Sequence, residues 1–177
     1  MHRSPYLGCM RSVLAGLALL GLLACTEEPK PGPSLYSHEP ILMSYPDLRT
    51  SFALEPPRAI VKNGKILSYG SLLFITERYA GIHVIDNRDP AHPQRLQFLR
   101  IPGTVDMACK DGVLFADNTI DLLAIDVSSQ PFRLLKRVEG AFPWNPYQCV
   151  DDPNVTFPPN IYTYGSWAVV VGARPRG

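Results

Sequence analysis

Short β-rich runs of apolar residues fill the chain from about Arg58 onward, with turn residues between them. Short runs of this kind predict β-strands, and no stretch here has the 3.6-residue period of a long helix. We therefore expect an all-β fold in two groups of four strands. The first group lies near 59–62, 72–76, 81–86 and 95–101, and the second near 104–109, 113–116, 121–126 and 133–138.

The two groups align with each other as copies of one repeat. Gly70 and Gly112 precede the second strand of each group, and Asp86 and Asp126 end the third strand. The glycines suit tight turns with positive φ, and the carboxylates can accept hydrogen bonds from N–H groups two residues on. A period of about 40 residues made of four short strands is typical of a β-propeller blade.

A third group starts near Asn160 and is incomplete. The run YGSWAVVV from Tyr164 resembles YGSLLFI from Tyr69, but the residues from Ala173 onward lack β character. A closed propeller needs about four blades of ~40 residues. We therefore predict propeller-like blades that do not close, with an exposed sheet edge that allows self-association. The predicted repeat region is 58–177, with blades at about 58–103 and 104–142 and a partial blade at 160–172.

The N-terminal residues predict a secretory signal peptide at 1–24. The protein starts at either Met1 or Met10. Arg3 and Arg11 give this segment a positive charge, and an apolar run of about a dozen residues follows them. Such a run is too short to span a ~30 Å hydrocarbon core. The sequence LLAC ending at Cys25 resembles the bacterial lipobox, and the resemblance implies that Cys25 carries lipid after cleavage. Ordinary secretion and a buried helix are the less favoured alternatives.

Residues 25–57 are predicted to be a lipidated cysteine, a Pro-rich tether and an irregular lead-in without periodicity. Two or more acyl chains on Cys25 anchor a protein stably, whereas one chain binds only marginally. Thr26 stands where lipoproteins of the inner membrane often carry Asp, which favours the outer membrane. We therefore expect a protein of the cell envelope whose membrane partner is reached through the lipid on Cys25.

Two strands resemble the repeats of a known family. GIHVID at 81–86, which precedes Asp89-Pro90, and DLLAID at 121–126 are similar to LVIVD-repeat units. The resemblance covers about residues 62–138. It implies a propeller-type fold and an extracytoplasmic location in a bacterial protein. It implies no reaction and no catalytic residues.

The charge of the chain limits its possible partners, and its cysteine content limits its possible disulfides. The chain has 17 Lys+Arg and 16 Asp+Glu spread along its length, which argues against nucleic acid as a partner. Once the signal and Cys25 are set aside, Cys109 and Cys149 remain. These two either pair in a disulfide, as an oxidising compartment permits, or act as small buried hydrophobic residues.

The sequence contains no motif for nucleophilic catalysis, nucleotide binding or metal binding, so we expect neither an enzyme nor a cofactor. The isolated His38, His83 and His92 are predicted to be packed or surface residues. Asp117, Asp121 and Asp126 lie near one another in sequence, and their correspondence to Glu77 and Asp86 in the other strand group predicts a structural role in turns. A metal site at these aspartates is the less favoured interpretation. A Ca²⁺ site in the acidic loop 151–154 is the less favoured interpretation, because the loop lacks the spacing of a known site.

The long loop after the second group contains three aromatic residues, Phe142, Trp144 and Tyr147. They either form a binding surface or cover the open edge of the second blade. We predict a lipid-anchored binding or scaffolding module that contacts a protein or a glycan through its blade loops. The alternatives are a fragment of a propeller-type hydrolase and a truncated propeller protein without a function of its own.

Overall fold

The structure, a computed structural model, describes residues 36–176. The predicted signal peptide 1–24, Cys25 and the Pro-rich tether before residue 36 lie outside the described residues. Within the described range the chain is mostly β-strand, which confirms the fold class that the short β-rich runs predict. No helix in that range is long and apolar enough to cross a membrane.

The described residues form eleven strands, one α-helix and one 3-10 helix. In chain order they are β1 His38–Ser44, α1 Tyr45–Thr50, β2 Ala53–Glu55, β3 Asn63–Tyr69, β4 Leu72–Glu77, β5 Gly81–Asp86, β6 Gln94–Arg100, β7 Met107–Lys110, β8 Val113–Asn118, β9 Asp121–Asp126, β10 Arg133–Val138, the 3-10 helix Pro159–Ser166 and β11 Ala168–Pro175.

The strands form three antiparallel sheets, none of which is closed. The five-stranded sheet has the order β2-β6-β5-β4-β3, the four-stranded sheet has the order β10-β9-β8-β7, and the two-stranded sheet pairs β1 with β11. In each larger sheet, four strands that follow one another in the chain lie side by side. Each of these sheets is therefore a meander, and β2 extends the first meander by pairing with β6.

The turns within the two meanders have the predicted geometry. Gly70 and Gly112 have φ values of 58° and 77°, in the left-handed region that glycine adopts without strain. The carboxylates of Asp86 and Asp126 each accept a hydrogen bond from the backbone N–H two residues on, at 3.0 and 2.9 Å. Both predictions about these turns are confirmed.

The main hydrophobic core lies between the two larger sheets. Alternate residues of the central strands point into it, as the two-residue period of a strand requires. Full burial of one such side chain contributes roughly 1.5–3 kcal/mol. The core residues from the central strands are Phe74, Ile82, Val84, Leu99, Leu114, Ala116, Leu123 and Ile125.

The first predicted strand, 59–62, is wrong, because β3 begins only at Asn63. The backbone N–H groups of Val61 and Lys62 donate instead to the carboxylate of Glu77, at 3.0 and 2.5 Å. These donors are therefore used outside a strand ladder. The apolar residues of this stretch resemble those of a strand, but among residues 36–176 no strand pairs with them.

The irregular lead-in predicted for residues up to 57 also needs correction, because β1, α1 and β2 lie within it. Helix α1 is capped by Ser44, whose Oγ accepts from the N–H of Asp47 at 3.2 Å, and Pro46 occupies its first turn. A register shift between Ile41 and Leu42 interrupts the alternation of β1. This irregularity explains why the sequence shows no clear period there.

The partial third group of strands at 160–172 is replaced by the 3-10 helix and β11. Strand β11 pairs with β1 from the start of the described chain, so its partner is distant in sequence. The expectation that residues from Ala173 lack β structure is wrong, since β11 extends to Pro175. An ion pair between Arg174 and Glu39, at 2.9 Å, joins the ends of the two strands.

Candidate binding groove on the four-stranded sheet

The two faces of the four-stranded sheet have different surroundings. One face packs into the main core, and no other sheet formed by residues 36–176 packs against the second face, which we call the open face. On this face, Phe115 of β8 lies between its register partners Ala108 of β7 and Ala124 of β9. Both Phe115 and Ala124 are half-buried. Val113 and Leu122 continue the same face. The open face is therefore an apolar surface of a kind that protein interiors normally cover.

The long loop that follows β10 borders the open face and forms a groove with it. Phe142, Pro143, Asn145 and Gln148 line the groove from the loop side, opposite Phe115 and Leu122 of the sheet. Its volume is about 410 Å³. The backbone N–H of Phe142 donates to the carbonyl of Ile120 at 2.9 Å, which holds the loop at the end of β8 and β9. The groove thus has one wall of sheet and one wall of loop.

The three aromatic residues predicted as one binding surface occupy three different environments. Phe142 is 38% exposed and lines the groove. Trp144 is half-buried, and its indole N–H donates to the carbonyl of Ala168 at 2.9 Å. The ring of Tyr147 lies 5.2 Å from that of Phe157, outside the lining of the groove. Of the three, only Phe142 lines the groove, although Tyr147 is equally exposed.

Trp144 is a packing residue of the two-stranded sheet, an environment that differs from both interpretations of this loop. It packs against two small apolar clusters, one around Ile161 and Val170 and one around Leu48 and Val169. These clusters join the two-stranded sheet, α1 and the 3-10 helix. The side chain of Trp144 thus connects the loop to the two-stranded sheet.

Asp117, at the base of the groove, is a structural residue. Its Oδ1 accepts from the Thr104 hydroxyl at 3.0 Å and from the N–H groups of Val105 and Asp106 at 2.9 and 2.8 Å. Its Oδ2 accepts from the Gln148 amide at 3.1 Å. Burial raises the pKa of Asp117 in spite of these hydrogen bonds. Because both oxygens are engaged, the carboxylate serves the fold and not a substrate.

Glu77 is the counterpart of Asp117 in the five-stranded sheet. Besides the N–H groups of Val61 and Lys62, it binds Nε2 of His83 at 2.9 Å. Burial raises the pKa of Glu77, but these hydrogen bonds outweigh it, and the pKa lies below its ordinary value. His83 is buried against Phe98, with ring centroids 4.9 Å apart. It is a packed histidine, as predicted.

The other two histidines are surface residues with local contacts. Nδ1 of His38 lies 2.9 Å from the hydroxyl of Ser37, and Nδ1 of His92 lies 2.8 Å from a carboxylate oxygen of Asp89. Each partner is a near neighbour in sequence, so the contacts organise the local chain. Among residues 36–176, no three His, Cys, Asp or Glu side chains are grouped as a metal ion requires.

Asp121 is fully buried and neutralised by arginine. Its Oδ2 lies 3.0 Å from Nη1 of Arg137 and 3.7 Å from Nε of Arg49, and its Oδ1 accepts from the N–H of Gly140 at 2.9 Å. Arg137 also donates to the carbonyl of Leu48 at 3.4 Å. The cluster therefore connects the four-stranded sheet to α1, in agreement with a structural role for Asp121.

The acidic loop at 151–154 is occupied by contacts within the protein. Asp151 forms ion pairs with Lys62 and Arg78, and it accepts from the Tyr79 hydroxyl at 2.5 Å. The neighbouring Asp152 accepts from the N–H of Asn154 at 2.8 Å, as in an ordinary turn. Asp151 therefore fastens the long loop to the five-stranded sheet.

Cys109 and Cys149 are free thiols. Cys149 is buried, with its Sγ 3.5 Å from the carbonyl of Gly103. Cys109 is half-buried on β7 and packs against the main core. Their environments correspond to the second alternative, that of small buried hydrophobic residues.

No protein-family model matches the chain, and neither the curated proteins nor the solved structures contain a match to it. The groove is the feature that sequence reasoning missed. Its signal was the unbroken apolar runs VLFA in β8 and LLAI in β9, which make both faces of these strands apolar. A sheet with two apolar faces needs a cover on each, and among residues 36–176 another sheet covers only one.

Proposed function

We propose that this protein is a lipid-anchored, extracytoplasmic β-repeat protein that binds an apolar segment of another protein in the groove of the four-stranded sheet. It acts as a binding or scaffolding module rather than as an enzyme. The observation that carries the proposal is the apolar open face, which Phe142 borders and which no other sheet in the described part of the chain covers. Exposed apolar surfaces of this kind mark interaction sites.

We infer further that the two meanders are propeller-type blades of the LVIVD kind. Equivalent positions in the two sheets make equivalent contacts, which supports this interpretation. Tyr79 and Thr119, at the same place in the two meanders, have φ values of 64° and 58°. The carboxylates of Glu77 and Asp117 both accept from backbone N–H groups just before the first strand of their sheet.

A protein partner suits the groove better than a glycan does. The walls contributed by Phe115, Leu122, Phe142 and Pro143 are apolar, and a sugar needs polar groups for its hydroxyls. The charged groups in the lining are already engaged, since Asp117 accepts hydrogen bonds from the protein and Lys65 pairs with Asp106. An apolar side chain of a partner would therefore make contacts here without leaving a buried polar group unpaired.

The membrane anchor in this proposal rests on the residues before Cys25. A triacylated cysteine adds about 0.8 kcal/mol per buried CH₂ and keeps a protein on a membrane without a spanning helix. We propose the cell envelope as the location, with the outer membrane favoured by Thr26. Labelling with radioactive palmitate tests this: the wild-type chain takes up label and Cys25→Ala does not. An unlabelled wild-type chain contradicts the anchor.

Site-specific photocrosslinking tests the groove. A photoreactive amino acid is placed at Ala108, exposed on the open face, or at the control position Val61, 86% exposed beside the five-stranded sheet. We expect an adduct in envelope membranes from Ala108 alone. The adduct should disappear when Ala124→Arg fills the open face, and circular dichroism verifies that this variant is folded. Equal adducts at both positions, or an adduct insensitive to Ala124→Arg, contradict the proposal.

A further inference from the structure

A second pocket lies on the outer face of the five-stranded sheet, away from the groove. Its walls are Pro57, Arg58 and Ala59 on one side and Gln94 and Arg95 from the start of β6 on the other. Its volume is about 360 Å³. No acidic residue lines it. The two charged side chains in its walls are both arginines.

Arg58 is held in place by an aromatic ring and not by a carboxylate. Its guanidinium carbon lies 3.6 Å from the centroid of the Phe98 ring, and Phe98 is fully buried in the sheet. A guanidinium that rests on a ring face is attracted by the ring quadrupole. The N–H donors of the group lie in its own plane, so this contact leaves them available for an anion.

Arg95 is directed to the same pocket by a single backbone contact. Its Nη1 donates to the carbonyl oxygen of Arg58 at 3.2 Å. This bond brings the second guanidinium close to the chain segment that carries the first. A guanidinium has five N–H donors, and one such bond leaves most of them for other acceptors. The pocket therefore contains two positioned cations with free donors.

The absence of counter-charges at these two residues sets them apart from the other described arginines. Every other arginine in residues 36–176 pairs with a carboxylate of the same chain. The eight paired residues are Arg49, Arg78, Arg88, Arg100, Arg133, Arg137, Arg174 and Arg176. Arg58 and Arg95 thus form the one place in the described chain where two arginines meet without an acid.

We propose that this pocket binds a phosphate group through Arg58 and Arg95. Arginine forms paired, charge-assisted hydrogen bonds to phosphate oxygens, and two guanidiniums balance the charge of a phosphate. The amide of Gln94 in the pocket wall supplies a further polar group. The phosphate is either a free soluble anion or the headgroup of an anionic phospholipid. This site is independent of the groove and of its protein partner.

Binding of pyrophosphate to the full chain in an uncharged detergent tests the site by calorimetry. We expect Arg58→Gln and Arg95→Gln each to weaken binding about tenfold, the value of one lost charge-assisted hydrogen bond. The matched control is Arg88→Gln, which removes the same charge from an exposed arginine already paired with Asp86. Thermal unfolding verifies the fold of each variant, and Arg95→Gln keeps the Phe98 contact intact.

A second arm of the experiment identifies the source of the phosphate. Recovery of the chain on vesicles of phosphatidylcholine alone is compared with recovery on vesicles that also contain phosphatidylglycerol. A gain with phosphatidylglycerol that Arg58→Gln and Arg95→Gln abolish, and Arg88→Gln does not, supports a lipid headgroup. Binding of pyrophosphate without such a gain supports a soluble anion. The proposal is overturned if neither probe binds, or if Arg88→Gln weakens binding as much as the pocket variants do.

Discussion

Glu77 and Asp117 make the same contact in two different sheets. Each carboxylate stands at the end of the second strand of a meander and accepts hydrogen bonds from two consecutive backbone N–H groups that precede the first strand. The side chain thus satisfies donors that no neighbouring strand pairs. This contact fixes where the chain enters each meander, and it accounts for a carboxylate at both positions.

Removing one of these carboxylates should destabilise the fold. Glu77→Ala leaves the N–H groups of Val61 and Lys62 without an acceptor, and we expect a loss of about 2–4 kcal/mol in the free energy of unfolding. Glu77→Gln keeps one acceptor oxygen and should lose less. Urea denaturation measures both. The control is Glu139→Ala, an exposed residue that should change stability by about 0.5 kcal/mol or less; an equal loss in Glu77→Ala and Glu139→Ala contradicts the structural role.

Two arginines of the same strand should respond differently to truncation. Arg137 on β10 neutralises the fully buried Asp121, and Arg137→Ala leaves that charge buried with weaker compensation. We expect a loss of about 3–5 kcal/mol. Arg133, at the start of the strand, pairs with Asp126 at the surface, so Arg133→Ala should cost about 1 kcal/mol or less. Similar denaturation midpoints for the two variants would show that the buried Arg137–Asp121 pair contributes no more to stability than the surface Arg133–Asp126 pair.

The aromatic residues of the long loop should separate into structural and binding groups. Trp144→Ala removes a packed ring and leaves the buried carbonyl of Ala168 without its donor, so we expect a loss of about 3–5 kcal/mol in stability. Phe142→Ala should change stability by less than about 1 kcal/mol but weaken the photocrosslink from Ala108. The reverse pattern, a stable Trp144→Ala and an unfolded Phe142→Ala, would refute this division.

Acidification should release the long loop through Asp151. Burial raises the pKa of this carboxyl, but hydrogen bonds from Lys62, Tyr79 and Arg78 outweigh it and lower the pKa from 3.8 to about 2. Because the folded pKa lies below the ordinary value, the stabilisation is complete above about pH 5 and is lost as the pH falls toward 2. The difference in unfolding free energy between wild type and Asp151→Asn should therefore shrink over that interval.

A matched control is Asp152→Asn, because the Asp152 carboxylate accepts from Asn154 within its own turn. At about pH 7 we expect Asp152→Asn to cost less unfolding free energy than Asp151→Asn, since Asp151 forms ion pairs with Lys62 and Arg78. A difference for Asp151→Asn that is flat with pH, or that grows on acidification, contradicts a lowered pKa for Asp151 in the folded protein.

The two thiols should differ in their reaction with an alkylating reagent. Burial and the nearby carboxylates of Asp117 and Asp151 raise the pKa of Cys149 to about 12, and burial also raises that of Cys109. At about pH 8 we expect Cys109, which is half-buried, to be alkylated well before Cys149, and both to react quickly in urea. Peptide mass spectrometry follows each site. A peptide that joins Cys109 to Cys149 in the unreduced protein would contradict the free thiols.

The local sequence predicted most of the two meanders. The β-rich apolar runs at 72–77, 81–86 and 121–126 predicted these strands to within a residue, and Gly70 and Gly112 marked their turns, because strand composition and turn geometry are properties of neighbouring residues. For the candidate groove, the loop aromatic Phe142 was among the predicted residues. The groove itself was not predicted, since alternation identifies an apolar face without identifying what covers it.

The sequence by itself determined the class of fold and the carboxylates of the turns, and it supplied the expectations of an internal repeat and of a lipid on Cys25. Only the tertiary structure decided that β1 pairs with β11, that Trp144 packs while Phe142 faces a groove, and that Arg58 and Arg95 share a pocket. The physical reason is distance along the chain. These contacts join segments that are far apart in sequence, and no short-range pattern of polarity specifies which distant segment will cover a given face.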